Sequence, residues 1–205
     1  TVDEIRAFAP MGIIFTGGPN SVYLETSPQV DPAIFSLGVP VLGICYGCQL
    51  MAHHLGGQVT AAQADTAREY GKTETFYDTT CPLFQGLPQE GVSWMSHGDY
   101  MAKVPTGFRL VGHTAACPNV AIADETRGFY GVQFHPEVNH TQHGTDMLRN
   151  FLYRVCGATG DWTMGDYLKT SVAAIREKVG DGKVLLALSG GVDSSVAAAL
   201  LAEAV

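Results

Sequence analysis

The chain has 205 residues, of which 46% are hydrophobic, and its formal net charge is −8. This length is enough for one full domain, or for one domain and part of another. The acidic balance, without a block of Lys or Arg, excludes the basic footprint that nucleic-acid binding requires. Gly, Pro or charged residues interrupt the longest apolar runs, so no membrane span is predicted. Five widely spaced cysteines are typical of a reducing compartment and predict a cytoplasmic protein.

Apolar, β-branched segments alternate with helical patterns along most of the chain. Alternation of strands and helices predicts an α/β domain with a mostly parallel open sheet flanked by helices. The predicted elements are, in chain order, a helix over 1–8, strands over 11–16 and 39–45, a helix over 46–57, short strands and turns over 58–120, a strand over 129–134 and a helix over 144–156.

The chain changes character after "GATGDWT", which separates a first domain over 1–157 from a second segment over 158–205. Thr163 and Asp166 predict a capped helix that stops at Gly180. The expected elements that follow are a strand over 183–188, a loop "SGGVDSS" over 189–195 and a helix over 196–205. One strand and one helix cannot bury a core, so the second segment is expected to be the truncated beginning of another α/β domain.

Cys45 and Cys48 form a C-x-x-C at the predicted junction of a strand and a helix. Gly43 and Gly47 flank Cys45, and small neighbours allow a sharp turn that exposes a nucleophile. The helix N-terminus favours the thiolate, which is the nucleophilic form. Half of a zinc site would need a second pair of ligands that the sequence lacks. Two interpretations stay open: a thiol–disulfide redox pair, or Cys45 as the sole nucleophile with Cys48 packed beside it.

The segment "FYGVQFHPEV" provides a base for Cys45. Alternate residues of a strand share a face, so His135 and Glu137 are expected to point the same way. A neighbouring carboxylate holds one tautomer of the imidazole and stabilises its protonated form. A Cys, a His and an acid together perform acyl transfer, in which sulfur attacks a carbonyl and forms a thioester.

Three motifs in this order, "FTGGPNS", "GICYGCQ" and "FHPE", resemble the class I glutamine amidotransferase family. Further segments, "REYG", "WMSHGD" and "DW" before a capped helix, are similar to the glutamine-hydrolysing GMP synthase family. "LALSGGVDSS" resembles the ATP-pyrophosphatase loop that opens the second domain of that family. The family's first strand precedes the region that this chain covers.

The resemblance implies a role for each matching residue. Cys45 would be the nucleophile, His135 the general base and then acid, and Glu137 the group that orients His135. The backbone N–H groups of Gly18 and Tyr46 would form the oxyanion hole. The residues expected at glutamine are Gln49, His97, Gly98 and Asp99. Those expected at ATP and its pyrophosphate are Ser189, Gly190, Gly191, Val192, Asp193, Ser194 and Ser195, with Mg²⁺ at Asp193.

The resemblance also implies substrates and partners. The complete enzyme would release ammonia from glutamine without a cofactor, and would use ATP and Mg²⁺ to convert XMP to GMP. It would need the rest of the synthetase domain and would form a homodimer, so this chain alone would be at most a glutaminase. Cys48 stands where the family usually has Met or another apolar residue, which favours packing over a redox role. A non-catalytic regulatory module of the same fold is a further alternative.

Overall fold

The structure is a computed structural model that describes residues 1–62, 68–161 and 163–205. Trp162, from the "DW" segment, therefore lies outside the described residues. The chain divides into two compact units, Thr1–Ala158 and Thr159–Val205. None of the helices within the described ranges combines the length and the apolar character of a bilayer span.

The first unit contains two sheets and three α-helices within its described residues. The strands are β1 (Ile13–Phe15), β2 (Val41–Ile44), β3 (Gln58–Ala61), β4 (Glu69–Tyr77), β5 (Glu90–His97), β6 (Asp99–Lys103), β7 (Arg109–His113), β8 (Ala121–Asp124) and β9 (Phe129–Val132). The helices are α1 (Val2–Phe8), α2 (Tyr46–His54) and α3 (Gly144–Asn150), with a π-helical turn at Phe151–Val155 and 3-10 turns at Pro32–Ser36 and Pro82–Phe84.

The large sheet has seven strands in the order β1-β2-β9-β8-β7-β4-β5, and β3 pairs with β6 in a separate ribbon. β1, β2 and β9 run parallel, whereas the remaining neighbours in the large sheet pair antiparallel. The α/β class is confirmed, and the parallel part of the sheet is limited to these three strands. Parallel neighbours need a long crossover, whereas β7, β8 and β9 follow one another through short connections that suit antiparallel pairing.

Two hydrophobic clusters lie on the two faces of the sheet. β2 is buried along its whole length. Val41 belongs to the cluster that includes residues of α2, whereas Leu42 and Ile44 belong to the cluster that includes Met147 and Phe151. This division follows from the alternation of side chains along a strand.

Helix α2 packs closely on the sheet because two strand positions are glycine. A Cβ atom at Gly43 would lie 2.6 Å from the backbone nitrogen of Cys48, and one at Gly131 would lie 2.6 Å from its sulfur. Both distances are far below van der Waals contact, so a side chain at either position would push the helix away. The close packing fixes the N-terminus of α2 directly after the end of β2.

The second unit contains α4 (Met164–Val179) and α5 (Val192–Ala204). The predicted cap of α4 is present, because the Thr163 hydroxyl accepts a hydrogen bond from the N–H of Asp166 at 3.1 Å. The helix ends at Val179, and its C-cap residue, Gly180, has a φ of 52°. At the end of α5, Arg176 donates to the carbonyl oxygens of Ala204 and Glu203 at 3.1 and 2.7 Å.

The strand predicted over 183–188 is wrong, because these residues form no regular secondary structure and Leu185 is 99% exposed. A strand is stabilised by hydrogen bonds to a neighbouring strand, and the described part of this unit supplies none. Helix α5 also begins at Val192 rather than at residue 196, since Gly191 serves as its N-cap.

Candidate active site

Three loops meet at one edge of the sheet, because the carboxyl ends of parallel strands lie together. β1 leads into 16–18, β2 into Cys45, and β9 into 133–137. Open sheets of this kind bind their ligands at this edge. Every residue that the sequence assigned to glutamine hydrolysis lies on these loops, on α2, or in the segment 97–99.

Cys45 occupies a strained turn between β2 and α2. Its φ of 51° and ψ of −109° are unusual for a residue with a side chain, and such strain is concentrated at active sites. The N–H of Cys45 donates to the carbonyl oxygen of Val132 at 2.8 Å, which continues the pairing of β2 with β9. The backbone is thus held in the sheet while the sulfur lies at the N-terminus of α2, where partial positive charge favours a thiolate.

His135 lies between Cys45 and Glu137. Its Nδ1 is 2.6 Å from Oε1 of Glu137, and its ring and Cys45 both lie against Gly17. The interaction with Cys45 is the largest contribution that raises the pKa of His135 to about 9; Glu137 adds to it, and burial of the ring opposes it. The imidazole is therefore a strong proton acceptor beside the sulfur.

The two side chains meet for a different reason from the one expected. β9 ends at Val132, so His135 and Glu137 lie in a turn rather than on one face of a strand. The N–H of His135 donates to the carbonyl oxygen of Trp94 at 3.0 Å, and the Thr141 hydroxyl donates to the carbonyl oxygen of His135 at 2.6 Å. These two hydrogen bonds fix the turn, where hydrogen bonds between strands would fix a strand.

The loop after β1 lies against both reactive side chains. A Cβ atom at Gly17 would be 2.9 Å from Cε1 of His135 and 3.6 Å from Cβ of Cys45, so this position has room only for glycine. Gly18 lies next to the Tyr46 side chain. In the described part of the chain, the hydrogen bonds of this loop and of the elbow do not use the N–H groups of Gly18 and Tyr46. Both donors are thus available near Cys45.

A cleft of about 330 Å³ opens beside the sulfur. Its lining includes Cys45, Gly18 and the four residues expected at glutamine: Gln49, His97, Gly98 and Asp99. Tyr46 is not among the side chains that line it.

Hydrogen bonds fix the polar groups of the cleft. The Gln49 amide and His97 Nδ1 both reach the carbonyl oxygen of Asp99 at 3.0 Å, and a carbonyl oxygen only accepts, so both nitrogens are donors. The Tyr23 hydroxyl donates to the carboxylate of Asp99 at 3.1 Å. The segment 97–99 is therefore held by Gln49 and Tyr23 from outside and by the hydrogen bond between His97 and Asp99 within it.

Two residues of the site were missed by the sequence analysis. Gln133 is 1% exposed, and its Nε2 lies 3.7 Å from Sγ of Cys45. Glu69 is also buried; it accepts from the Thr114 hydroxyl at 2.7 Å, and its other oxygen lies 3.4 Å from Nε2 of His97. Gln133 and Glu69 both lie inside quoted segments, "FYGVQFHPEV" and "REYG", but nothing in those segments shows that the two side chains are buried at the site.

Cys48 lies in the core rather than in the cleft. It is 0% exposed, and burial raises the pKa of its thiol far above the usual range. Cys45 and Cys48 are both free thiols. A buried thiol that resists ionisation is a poor partner for disulfide exchange.

The segment 189–195 lies in the second unit, at the start of α5. Gly190 has a φ of 82°, and Ser194 and Ser195 donate to the carbonyl oxygen of Gly191 at 3.0 and 2.8 Å. The hydroxyl of Ser189 lies 3.0 Å from that of Ser194. Val192 and Asp193 belong to the first turn of the helix rather than to a loop. Among the described residues, no group of three or more His, Cys, Asp or Glu side chains could hold a metal ion.

Comparison with known proteins relates this site to a family. A family model described as glutamine amidotransferase class-I matches residues 1–155. A GMP synthase (glutamine-hydrolyzing) of Clostridium botulinum strain Alaska E43 / Type E3 is 56% identical over 205 residues. The solved structure of a candidate GMP synthase component from Thermoplasma acidophilum is 32% identical, with a TM-score of 0.64 over 76% of each chain.

A more distant structure shares only the fold. A glutamine amidotransferase from Thermotoga maritima is 20% identical, with a TM-score of 0.51 over 93% of this chain and 75% of that chain. The match with the C. botulinum protein includes the whole of this chain. It includes only 39% of the length of that relative.

Proposed function

Because the chain belongs to the class I glutamine amidotransferase family, we propose that it hydrolyses glutamine to glutamate and ammonia through a thioester on Cys45. The observation that supports this most strongly is the arrangement of Cys45, His135 and Glu137 beside a polar cleft, in which Cys45 raises the pKa of His135 and Glu137 forms a hydrogen bond with it. These side chains supply a nucleophile, a base and a group that orients the base, which are the parts that acyl transfer needs.

The first half of the reaction forms the thioester. His135, whose pKa is raised to about 9, holds the proton that the thiol gives up, and the sulfur of Cys45 then attacks the carboxamide carbon of glutamine. The N–H groups of Gly18 and Tyr46 bind the oxyanion, and losing one such donor typically costs about a hundredfold or more in rate. The imidazolium then gives its proton to the leaving nitrogen, so ammonia departs and the thioester remains.

The second half consumes water. His135 takes a proton from the water as its oxygen attacks the thioester carbon, and the second oxyanion uses the same two N–H groups. Its collapse breaks the carbon–sulfur bond and releases glutamate, after which His135 returns the proton to sulfur. Glu137 keeps the proton of the neutral imidazole on Nδ1, so that Nε2 exchanges protons with the sulfur and the substrate. No cofactor takes part in these steps.

The cleft suits the amino-acid end of glutamine. The carboxylate of Asp99 has the charge opposite to an α-ammonium group, and charge-assisted hydrogen bonds are the stronger kind. Gln49, His97 and Gly98 surround it. We assign these four residues to glutamine binding.

The released ammonia is expected to be a substrate for a second reaction in a longer polypeptide. We propose that it aminates XMP to GMP in an ATP-dependent step, as the name of the C. botulinum relative suggests. The helix start at 189–195 supports a pyrophosphate site, because N–H groups and the helix dipole both favour anions there. Asp193 would meet phosphate through Mg²⁺. A cytoplasmic homodimer that contains the rest of the synthetase domain completes the proposal.

The test is ammonia release from glutamine by the complete polypeptide. Cys45→Ala is expected to abolish it, whereas Cys48→Ala, which removes a buried sulfur one helical turn away, is expected to retain most of it. Thermal unfolding of both variants checks that the fold is intact. Equal loss in the two variants would count against Cys45 as the single nucleophile.

Two alternatives make different predictions. A redox pair requires a reducible disulfide between Cys45 and Cys48 and no effect of His135→Ala, and the burial of Cys48 counts against it. If the chain is a non-catalytic module, Cys45 is expected not to react with a glutamine-like electrophile. The presence of all three side chains, with His135 hydrogen-bonded to Glu137 and its pKa raised by Cys45, favours catalysis over such a module.

A further inference from the structure

The buried amide of Gln133 contacts the sulfur of Cys45. Its Nε2 lies 3.7 Å from Sγ, which is within hydrogen-bond range for sulfur. Its Oε1 lies 3.0 Å from Nε2 of Gln49. Both ends of the amide therefore have a partner inside the protein, and the residue is 1% exposed. A buried amide of this kind adopts one orientation, which its neighbours decide.

The orientation of Gln133 follows from a chain of obligatory donors and acceptors. The carbonyl oxygen of Asp99 only accepts, so Gln49 directs its NH₂ group toward it at 3.0 Å. The same NH₂ group reaches Gln133, which must present its oxygen in return. The remaining end of the Gln133 amide, its NH₂ group, then faces the sulfur. The contact is a donor aimed at sulfur and not an oxygen opposing it.

A donor at this position favours the thiolate over the thiol. Hydrogen bonds to charged groups are stronger than those between neutral groups, so the N–H of Gln133 binds the anion better than the protonated sulfur. The carbonyl oxygen of Ser96 lies 3.8 Å from Sγ and can accept a hydrogen bond only while the sulfur carries its proton. Sulfur thus has a partner in each protonation state, and Gln133 adds a donor to the charged state beside the ring of His135.

We propose that Gln133 is a further catalytic residue that donates a hydrogen bond to the Cys45 thiolate, with Gln49 holding the donor in place. The inference rests on the proposed role of Cys45 as nucleophile. The contact acts twice in each turnover, once when the thiolate forms before attack and again when it leaves the thioester. It also connects the cleft to the sulfur, since Gln49 touches both Asp99 and Gln133.

The test is the rate at which iodoacetamide alkylates Cys45 across a range of pH in the full chain, with the modified residue identified by peptide mapping. Iodoacetamide lacks the amino-acid end of glutamine, so its rate reports the thiolate and not substrate binding. Gln133→Met removes the donor and keeps the size of the side chain. It is expected to slow alkylation at neutral pH about tenfold and to move the pH profile upward, because a hydrogen bond to a charge is lost.

A second substitution separates this role from packing. Gln133→Glu matches the shape of the amide and still accepts from Gln49, but it places an acceptor with negative charge against the sulfur. If Gln133 donates to the thiolate, Cys45 in Gln133→Glu is expected to be alkylated more slowly than in Gln133→Met. If Gln133 has only a structural role, the alkylation rate in Gln133→Glu is expected to be closer to that of the wild type. Gln49→Met leaves Gln133 in place with a free amide, and is expected to move the profile in the same direction by less. If Gln133→Met does not fold, the pH profile of Gln49→Met replaces it as the test.

Each outcome decides one point. An unmoved pH profile in Gln133→Met, or a faster reaction in Gln133→Glu than in Gln133→Met, overturns the proposal even if thermal stability falls. Where Gln133→Met does not fold, an unmoved profile in Gln49→Met overturns it. A wild-type Cys45 that ignores glutamine-like electrophiles overturns the glutaminase assignment instead, so the two failures are distinguishable.

Discussion

In the proposed mechanism, the protonation state of His135 controls proton transfer at Cys45. The interaction with Cys45 raises the pKa of His135 to about 9, with help from Glu137 and against the effect of burial. The ordinary value is 6.5, so the folded state holds this proton more tightly than the unfolded state. The resulting stabilisation is fully present below about pH 6.5 and is lost as pH rises through about 9.

This difference predicts how two variants titrate. In an NMR titration, the His135 ring of the wild type is expected to titrate near pH 9. Cys45→Ala is expected to lower that midpoint more than Glu137→Gln does, because Cys45 makes the larger contribution. Cys45→Ala should also flatten the decline in the free energy of unfolding between pH 6.5 and 9. A midpoint that does not respond to Cys45→Ala would contradict the contact between the two side chains.

Motifs selected Cys45 and His135 as the proposed nucleophile and base, but they did not mark the buried polar groups of the site. Cys45 and His135 could be chosen because their residue types and neighbours point to one chemistry. Gln133 could not be ranked in the same way, since an amide near a strand end is ordinarily a solvated polar residue. The position of Glu69 in the site is still harder to predict, because its partners His97 and Thr114 come from distant segments. Burial of a polar group depends on such long-range packing, which local patterns do not contain.

The elbow between β2 and α2 depends on the close approach of backbones. A Cβ atom at Gly47 would clash with the carbonyl oxygen of Phe15, the last residue of β1. The N–H of Gly47 also donates to the carbonyl oxygen of Thr16 at 3.1 Å. This glycine therefore sets the distance between the elbow and the loop that carries Gly17 and Gly18.

Substitution at this glycine predicts a combined loss of stability and activity. Gly47→Ala is expected to lower the free energy of unfolding by about 1–3 kcal/mol, because backbone must move to make room. Ammonia release is expected to fall at least about tenfold, because the N–H groups of the proposed oxyanion hole move apart. Chemical unfolding and an ammonia assay measure the two effects.

The matched control is Gly91→Ala in β5. A Cβ atom there would meet other atoms only at ordinary distances of 3.5 Å or more, so a change within about 0.5 kcal/mol is expected. Similar effects of the two substitutions would show that close packing at the elbow does not control the site.

The boundaries of elements were predictable where the signal is local. Thr163 and Asp166 fix the start of α4, and Gly180 fixes its end. The strand predicted over 183–188 failed because apolar residues form a strand only beside another strand. The end of β9 was placed two residues too late, since the turn that carries His135 is held by Trp94 and Thr141 from other parts of the chain.

At the scale of the whole molecule, the residues assigned to glutamine hydrolysis belong to one compact unit. Cys45, His135, Glu137 and the cleft lie within Thr1–Ala158, whereas the ATP-loop residues lie within Thr159–Val205. The alternation of elements predicted the α/β class. The antiparallel part of the sheet could not be ordered from the sequence, because strand order depends on pairing between segments far apart in the chain.

The division into units predicts the behaviour of a shortened chain. A polypeptide that ends at Ala158 is expected to unfold cooperatively and to keep the reactivity of Cys45 toward iodoacetamide within about twofold. The physical reason is that the sheet, both hydrophobic clusters and the three loops of the site lie before that residue. Loss of cooperative unfolding in the shortened chain would show that the first unit depends on the second.

A diazoketone analogue of glutamine, followed by peptide mapping of the complete polypeptide, tests whether Cys45 is the nucleophile. We expect a covalent adduct on Cys45 alone, formed more slowly in His135→Ala and prevented by an excess of glutamine. An unmodified Cys45, or labelling that glutamine does not compete with, would contradict the assignment of Cys45 as the residue that attacks glutamine.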